Sequence, residues 1–305
     1  MQRFLVNIFV GLIILISFYS CKSCKKETDN TADKEQIEFQ QFLEDTTKLK
    51  EELHTTVSRF PTPGEMFGII KEGGITFDAR LLNPDSKIEN YTKFNDRALN
   101  LGVYIADFAY ITLFGRQDKA VNYLKAIESM SQKIGINAAI DKKLIERIKK
   151  NINNIDSLSE FADEAFLSLF DYCDMNDLQH INVLIATGAY IEGIYIALNN
   201  VKQYSDDNPV LKQLANQKQS FGHVLAYAEE YQDKPGINEI KTFLIKIDDI
   251  FQTLKSEQKK SKTTKNSQNK LIFSGGKKYK FTEDVYKNLK HEVNTIRTEI
   301  VNAKK

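Results

Sequence analysis

The chain has 305 residues, of which 42% are hydrophobic and 27% are charged. Its 42 Lys and Arg residues balance 41 Asp and Glu residues to a net charge of +1, which argues against a general nucleic-acid-binding protein. The 19 Phe and 13 Tyr residues are enough for a hydrophobic core and exclude a wholly disordered chain. We therefore expect a folded body and no nucleic acid partner.

The amino-terminal residues have the features of a secretory signal. Met1-Gln2-Arg3 gives a positive start, and the apolar run over residues 4–19 follows it. As a helix this run would be about 24 Å long, shorter than a bilayer core of about 30 Å. The small Ser20 before Cys21 resembles a lipobox. The pattern predicts a signal peptide over residues 1–20, acylation of Cys21 and attachment to a membrane through that lipid; an uncleaved membrane anchor is the alternative.

The rest of the chain divides into a polar segment and a helical body. Residues 21–35 contain no large apolar side chain and are typical of a flexible tether. Residues 36–305 show helical spacing of apolar positions and predict a single α-helical domain. The expected central helices span residues 91–114, 117–134, 138–151, 157–174 and 177–200. Further helix starts are expected at Thr62-Pro63, Ser157, Asn208-Pro209, Pro235-Gly236 and Thr282.

The pattern predicts an all-α fold, a multi-helix bundle of antiparallel helical hairpins around two central apolar helices. Residues 98–114 and 183–198 are apolar nearly all round, as expected for helices buried inside the bundle. Small residues recur four apart in both, and we expect the two helices to cross near Gly102 and Gly193. The Lys-rich run over residues 255–270 predicts a disordered, mobile loop before the last helix, with a small hairpin as an option just after it.

Each central helix carries one acid in its apolar surroundings, Asp107 in the first and Glu192 in the second. A buried carboxylate must pair, accept hydrogen bonds or take up a proton. One interpretation is a ligand pocket in which Asp107 and Glu192 meet Tyr104 and Tyr190. The other is an internal network in which tyrosine hydroxyls or an arginine satisfy the acids. The arginines considered for this role are Arg80, Arg97 and Arg116.

Motifs typical of catalysis or metal binding are missing from the sequence. Its four histidines include no HExxH pair, and no P-loop, GxSxG or dinucleotide fingerprint is present. Cys173, Asp177 and His180 have a spacing that could hold zinc on one helix, but Asn176-Asp177 looks like a new helix start that would break this face. We expect no metal and no cofactor, and the sequence favours a non-enzymatic role while leaving an enzyme open.

Several phrases within about residues 55–200 resemble an uncharacterised family of helical lipoproteins of Bacteroidetes-type bacteria. They are Phe60 to Glu65, Leu81 to Pro84, Ala98 to Asp107, Leu124 to Ile136 and Ile191 to Tyr195. The resemblance implies secretion and an all-helical body, and it brings no known activity.

These observations give one leading functional hypothesis and two alternatives. The leading one is a lipid-anchored binding or scaffold protein of the cell envelope, with an envelope protein or a small polar ligand as partner. The alternatives are an envelope hydrolase and a receptor for a small polar solute, each using a pocket at Asp107 and Glu192. Because Lys22, Lys25 and Lys26 follow the lipidated cysteine, we expect the periplasmic face of the outer membrane, with surface exposure as the alternative.

Overall fold

The computed structural model describes residues 62–140, 142–150, 155–265 and 271–302. Within these ranges ten α-helices and one two-stranded sheet follow each other, which confirms the all-α fold class. The elements are α1 (Pro63–Glu72), α2 (Phe94–Leu113), α3 (Gln117–Lys133), α4 (Lys142–Lys150), α5 (Ile155–Met175), α6 (Gln179–Asn200), α7 (Pro209–Asn216), α8 (Lys218–Glu230), α9 (Ile237–Gln252), β1 (Lys255–Lys265), β2 (Leu271–Lys280) and α10 (Glu283–Val301). The segments predicted to be a signal peptide and a tether, and Cys21 as the predicted lipidation site, lie outside the described residues.

Side-chain caps begin three of the helices where the sequence predicts them. Thr62 Oγ1 accepts from the backbone N–H of Glu65, and the Glu65 carboxylate accepts in return from the N–H of Thr62, a complete capping box. Asn208 caps α7 and Thr282 caps α10. In each case one side-chain oxygen accepts from the backbone N–H three residues further on, without the return bond of a capping box. The capping box thus begins α1 at Pro63, as the sequence predicts.

Two helix boundaries differ from the sequence prediction. Helix α5 already begins at Ile155, so Ser157 is an internal residue and not the cap. The single helix expected after Pro209 is two helices, because the N–H of Gln217 bonds the carbonyl of Leu214, three residues back, and this tight turn ends α7. No proline or glycine marks the break, and the apolar spacing continues across it.

The prediction of a mobile loop over residues 255–270 is wrong for its first eleven residues, which form strand β1. This strand pairs with β2 in an antiparallel hairpin that places Lys255 opposite Lys280, with an irregular register in its middle. Side-chain composition gave the loop prediction, whereas the strand depends on backbone hydrogen bonds that the neighbouring strand supplies. Residues 266–270 lie outside the described part of the chain.

The two apolar helices predicted to be central, α2 and α6, make the most extensive helix–helix contact of the described residues. A Cβ atom added to Gly102 would collide with the carbonyl oxygen of Ile185, and one added to Gly188 would collide with that of Leu99. Each glycine thus faces the carbonyl three residues before the other glycine. The helices cross at Gly102 and Gly188, backbone against backbone.

The predicted crossing at Gly193 is therefore wrong by more than one helical turn. Gly193 faces α1, where an added Cβ would meet the end of the Met66 side chain. The four-residue repeat of α6 consists of Ala189, Gly193 and Ala197, and Gly188 lies outside it. The repeat therefore does not mark the glycine at which α6 meets α2.

The central helices run parallel, because both carboxyl-terminal ends reach Thr76. The hydroxyl of Tyr110, near the end of α2, donates to the Thr76 carbonyl at 2.6 Å. The N–H of Thr76 donates to the side chain of Asn200, the last residue of α6, at 3.1 Å. Among the described helices α6 alone is long and apolar enough to cross a membrane, and 94% of its most apolar stretch is buried inside the body.

Candidate functional site: a buried acid pair and its arginine

The parallel crossing of α2 and α6 brings Asp107 and Glu192 together. Asp107 lies five residues beyond Gly102, and Glu192 lies four residues beyond Gly188, so both carboxyl groups lie just past the crossing. Both residues are completely buried, with 0% of their surface exposed. The acids are therefore neighbours, as the ligand-pocket interpretation requires, but neither has surface in contact with solvent.

Glu192 forms an ion pair with Arg297 of α10, which is not one of the three arginines expected to satisfy the buried acids. The Arg297 guanidinium donates from Nε to Glu192 Oε2 at 2.9 Å and from its terminal nitrogen to Oε1 at 3.0 Å. The same terminal nitrogen also donates to the Leu81 carbonyl at 3.2 Å. The guanidinium carbon lies 4.5 Å from the ring centre of Tyr195, close enough for a cation–π interaction. This fork geometry satisfies both oxygens of Glu192.

A sequence signal for Arg297 does exist. Along α10, Val293, Ile296 and Ile300 are buried at helical spacing, and Arg297 follows Val293 by four residues, on the same side of the helix. A cation on an apolar stripe indicates a buried partner of opposite charge. The arginines weighed in the sequence analysis have other partners: Arg80 pairs with Asp78, Arg97 donates to the Tyr91 carbonyl and Arg116 pairs with Asp118.

Asp107 is held by the backbone of a turn segment and not by a cation. Its Oδ2 accepts from the N–H of Asn83 at 2.9 Å, while its Oδ1 has no hydrogen-bond partner of good geometry among the described residues. Asn83 is fully buried and also donates from its side-chain amide to Tyr91 and Asn100. Asn100 in turn donates to the Ile300 carbonyl at 2.9 Å, so the network joins this turn, α2 and α10.

The surroundings of Asp107 and Glu192 differ, and this difference indicates which of the two carboxyl groups is protonated. Burial raises the pKa of Asp107 well above its ordinary value, and the negative charge of Glu192 raises it further. Burial also raises the pKa of Glu192, but the charge and hydrogen bonds of Arg297 oppose that rise. We therefore assign a neutral carboxylic acid to Asp107 and a carboxylate to Glu192. The Asp107 proton can then be shared with Glu192, and the group of three carries no net charge.

The two tyrosines predicted for the pocket have different surroundings. Tyr104 is fully buried on α2, and its hydroxyl donates to the Pro84 carbonyl at 2.9 Å, next to the turn that holds Asp107. Tyr190 lies on α6 with its ring 6.3 Å from that of Phe221 on α8. The structure thus places Tyr104 beside the acid pair and Tyr190 against another helix.

The possible zinc ligands do not share one helix: Cys173 lies on α5, His180 lies on α6 and Asp177 lies in the turn between them. Helix α5 ends at Met175, and Asp177 has a left-handed backbone with φ of 58°, which redirects the chain before α6 begins. Cys173 is fully buried, and this burial raises the pKa of its thiol to about 12. No group of three or more His, Cys, Asp or Glu side chains suited to a metal ion occurs among the described residues.

Comparison with known proteins gives no match: no family model, no curated protein and no solved structure is significantly similar to the chain.

Proposed function

We propose that this chain is a lipid-anchored binding protein of the cell envelope whose buried acid pair is structural. The observation that carries this proposal is the burial of Asp107 and Glu192: neither carboxyl group has exposed surface, and Arg297 binds both oxygens of Glu192. A hydrolase working through these acids would need at least one of them in contact with the substrate. A buried network of this kind, with the ion pair to Arg297 and the Asn83 N–H bound to Asp107, supports a role in fixing the positions of α2, α6 and α10 instead.

The sequence supports the proposal that the protein is attached to the membrane by a lipid. The positive start, the short apolar run and Ser20-Cys21 match a lipoprotein signal, and the family that the chain resembles is one of envelope lipoproteins. The lysines that follow Cys21 favour the periplasmic face of the outer membrane. Protease added to intact cells would degrade the body only if the chain faced outward, so protection until lysis is the result that we expect.

Acylation of Cys21 can be tested with a matched control, because a second cysteine lies three residues further on. The chain is expressed in a Gram-negative host that is fed an alkyne-bearing fatty acid, and the protein is then probed for the label. We expect label and membrane association in the wild type and in Cys24→Ser, and loss of both in Cys21→Ser. Label that persists in Cys21→Ser would contradict the anchor.

A further inference from the structure

A surface cavity of about 250 Å³ lies between the turns that precede α2 and the exposed side of α3. Leu82 and Tyr123, each only 5% exposed, form its inner wall. Asp85 lines it on the side of the turns, and Lys119 and Asn122 line it on the side of α3. The cavity therefore combines an acid, a base and an amide with a small apolar wall, and it is smaller than the pockets of about 300–1,000 Å³ that hold drug-sized ligands.

The polar side chains of this cavity have no partner within the described ranges. The side chains of Asp85, Lys119 and Asn122 form no hydrogen bond or ion pair there, with one another or with other described residues. Neighbours on the same elements do pair: Asp118, next to Lys119, binds Arg116 at 3.1 Å. The opposite charges of Asp85 and Lys119 therefore line one small cavity without forming an ion pair with each other.

We propose that this cavity binds a small zwitterion of the size of a free amino acid. Asp85 accepts hydrogen bonds from the ligand's ammonium group, and Lys119 donates to its carboxylate. Asn122 adds an amide that can donate or accept, and the ring of Tyr123 covers the carbon skeleton. A zwitterion pairs both protein charges at once, whereas a simple anion or cation leaves one of them unpaired. This inference rests on the proposed binding function and names its ligand class.

The buried network holds the walls of the cavity in place. The Tyr123 hydroxyl donates to the Asn83 carbonyl at 2.8 Å, and the Tyr104 hydroxyl donates to the Pro84 carbonyl at 2.9 Å. The N–H of Asn83 is the group that Asp107 binds. Asp107 thus fixes the turn that carries Leu82 and Asp85, as expected of residues that support a binding site without touching the ligand.

The test is calorimetric titration of the purified full-length chain in detergent with the common L-amino acids, one at a time, up to about 10 mM. The tightest binder is then compared with its N-acetyl and its carboxamide forms, each of which keeps only one of the two charges. We expect at least one amino acid to bind and both blocked forms to bind at least about tenfold more weakly. No binding by any of them, or equal binding of a blocked form, would overturn the proposal.

Variants locate the site. Asp85→Asn and Lys119→Gln should each weaken binding at least about tenfold. Asp118→Asn and Lys125→Gln, exposed on α3 but not lining the cavity, should bind like the wild type. Thermal melts that match the wild type show that each variant is folded, and unchanged affinity in both cavity variants would refute the site. Because Cys21 labelling is measured separately, a failure here leaves the anchor proposal standing, and the reverse also holds.

Discussion

Arg297 of α10 holds Glu192 of α6 through two hydrogen bonds, although 105 residues separate them in the chain. The carboxylate has no exposed surface, and only 12% of the arginine side chain is exposed. Water therefore cannot substitute for either partner. The ion pair makes the last helix necessary for the charge balance of the central helix pair.

Replacing Arg297 with Met should destabilise the protein by about 3–5 kcal/mol, because it leaves Glu192 buried without a compensating charge. Urea unfolding followed by circular dichroism measures the loss. The double variant Glu192→Gln/Arg297→Met removes both charges and should recover part of the stability. If the double variant is as unstable as the sum of the two single variants, the residues are not coupled in the way that the geometry indicates.

The raised pKa of Asp107 predicts a pH dependence of stability with a defined sign. In the unfolded chain this carboxyl group titrates near its ordinary value of 3.8, whereas the folded protein keeps it protonated to a much higher pH. Above about pH 4 the folded state therefore binds one more proton than the unfolded state, and the free energy of unfolding falls as pH rises, by up to about 1.4 kcal/mol per pH unit.

The variant Asp107→Asn isolates this effect, because an amide can still accept from Asn83 and donate towards Glu192 but cannot ionise. Its stability relative to the wild type should increase as pH rises above about 4, where the unfolded chain loses the proton that the folded wild type keeps. Guanidinium midpoints at several pH values provide the comparison. Curves for the two proteins that stay parallel across this range would show that Asp107 is not protonated in the folded state.

The backbone contact at the helix crossing predicts different outcomes for three glycine-to-alanine changes. Gly188→Ala places a methyl group against the Leu99 carbonyl and should cost about 1–3 kcal/mol. Gly193→Ala meets only the flexible end of Met66 and should cost less. Gly222→Ala in α8 has open space around it and should stabilise by about 0.5–1 kcal/mol through helix propensity. Thermal unfolding ranks the three, and a neutral Gly188→Ala would contradict the crossing.

Burial of Cys173 predicts that its thiol is inert in the folded protein. With a pKa of about 12 almost none of it is thiolate at neutral pH, and the side chain has no contact with solvent. Iodoacetamide should therefore modify Cys173 only under unfolding conditions, as measured by mass spectrometry of the peptide that contains it. Rapid modification in native buffer would show that the carboxyl-terminal end of α5 opens.

The sequence predicts the helical class and the central pair because both depend on local periodicity. Residues 98–114 and 183–198 have no polar face, so burial was the expected result. The partner of Glu192 could not be found from its own neighbours in the chain, since Arg297 is distant in sequence. The position of Arg297 on the apolar stripe of α10 indicates a buried partner but does not say which acid it is. Pairing between distant elements depends on how helices are arranged in space, which periodicity does not specify.

The same limit applies to the crossing point and the hairpin. Gly102, Gly188 and Gly193 are equivalent as small residues, and only the packing of α1 on α6 makes Gly193 the contact for Met66. Strand β1 has no apolar alternation that would have predicted it, and it forms by pairing with β2.

The parallel arrangement of α2 and α6 also affects how the protein must fold. Two parallel helices cannot be joined by a short turn, so the intervening chain through α3, α4 and α5 has to be made before they can meet. Contacts between residues so far apart in sequence slow folding, because a long loop must close before they form. A chain exported as we propose crosses the membrane unfolded and amino terminus first, so Glu192 is translocated before Arg297. We therefore expect the central pair to reach its final packing only after α10 has emerged.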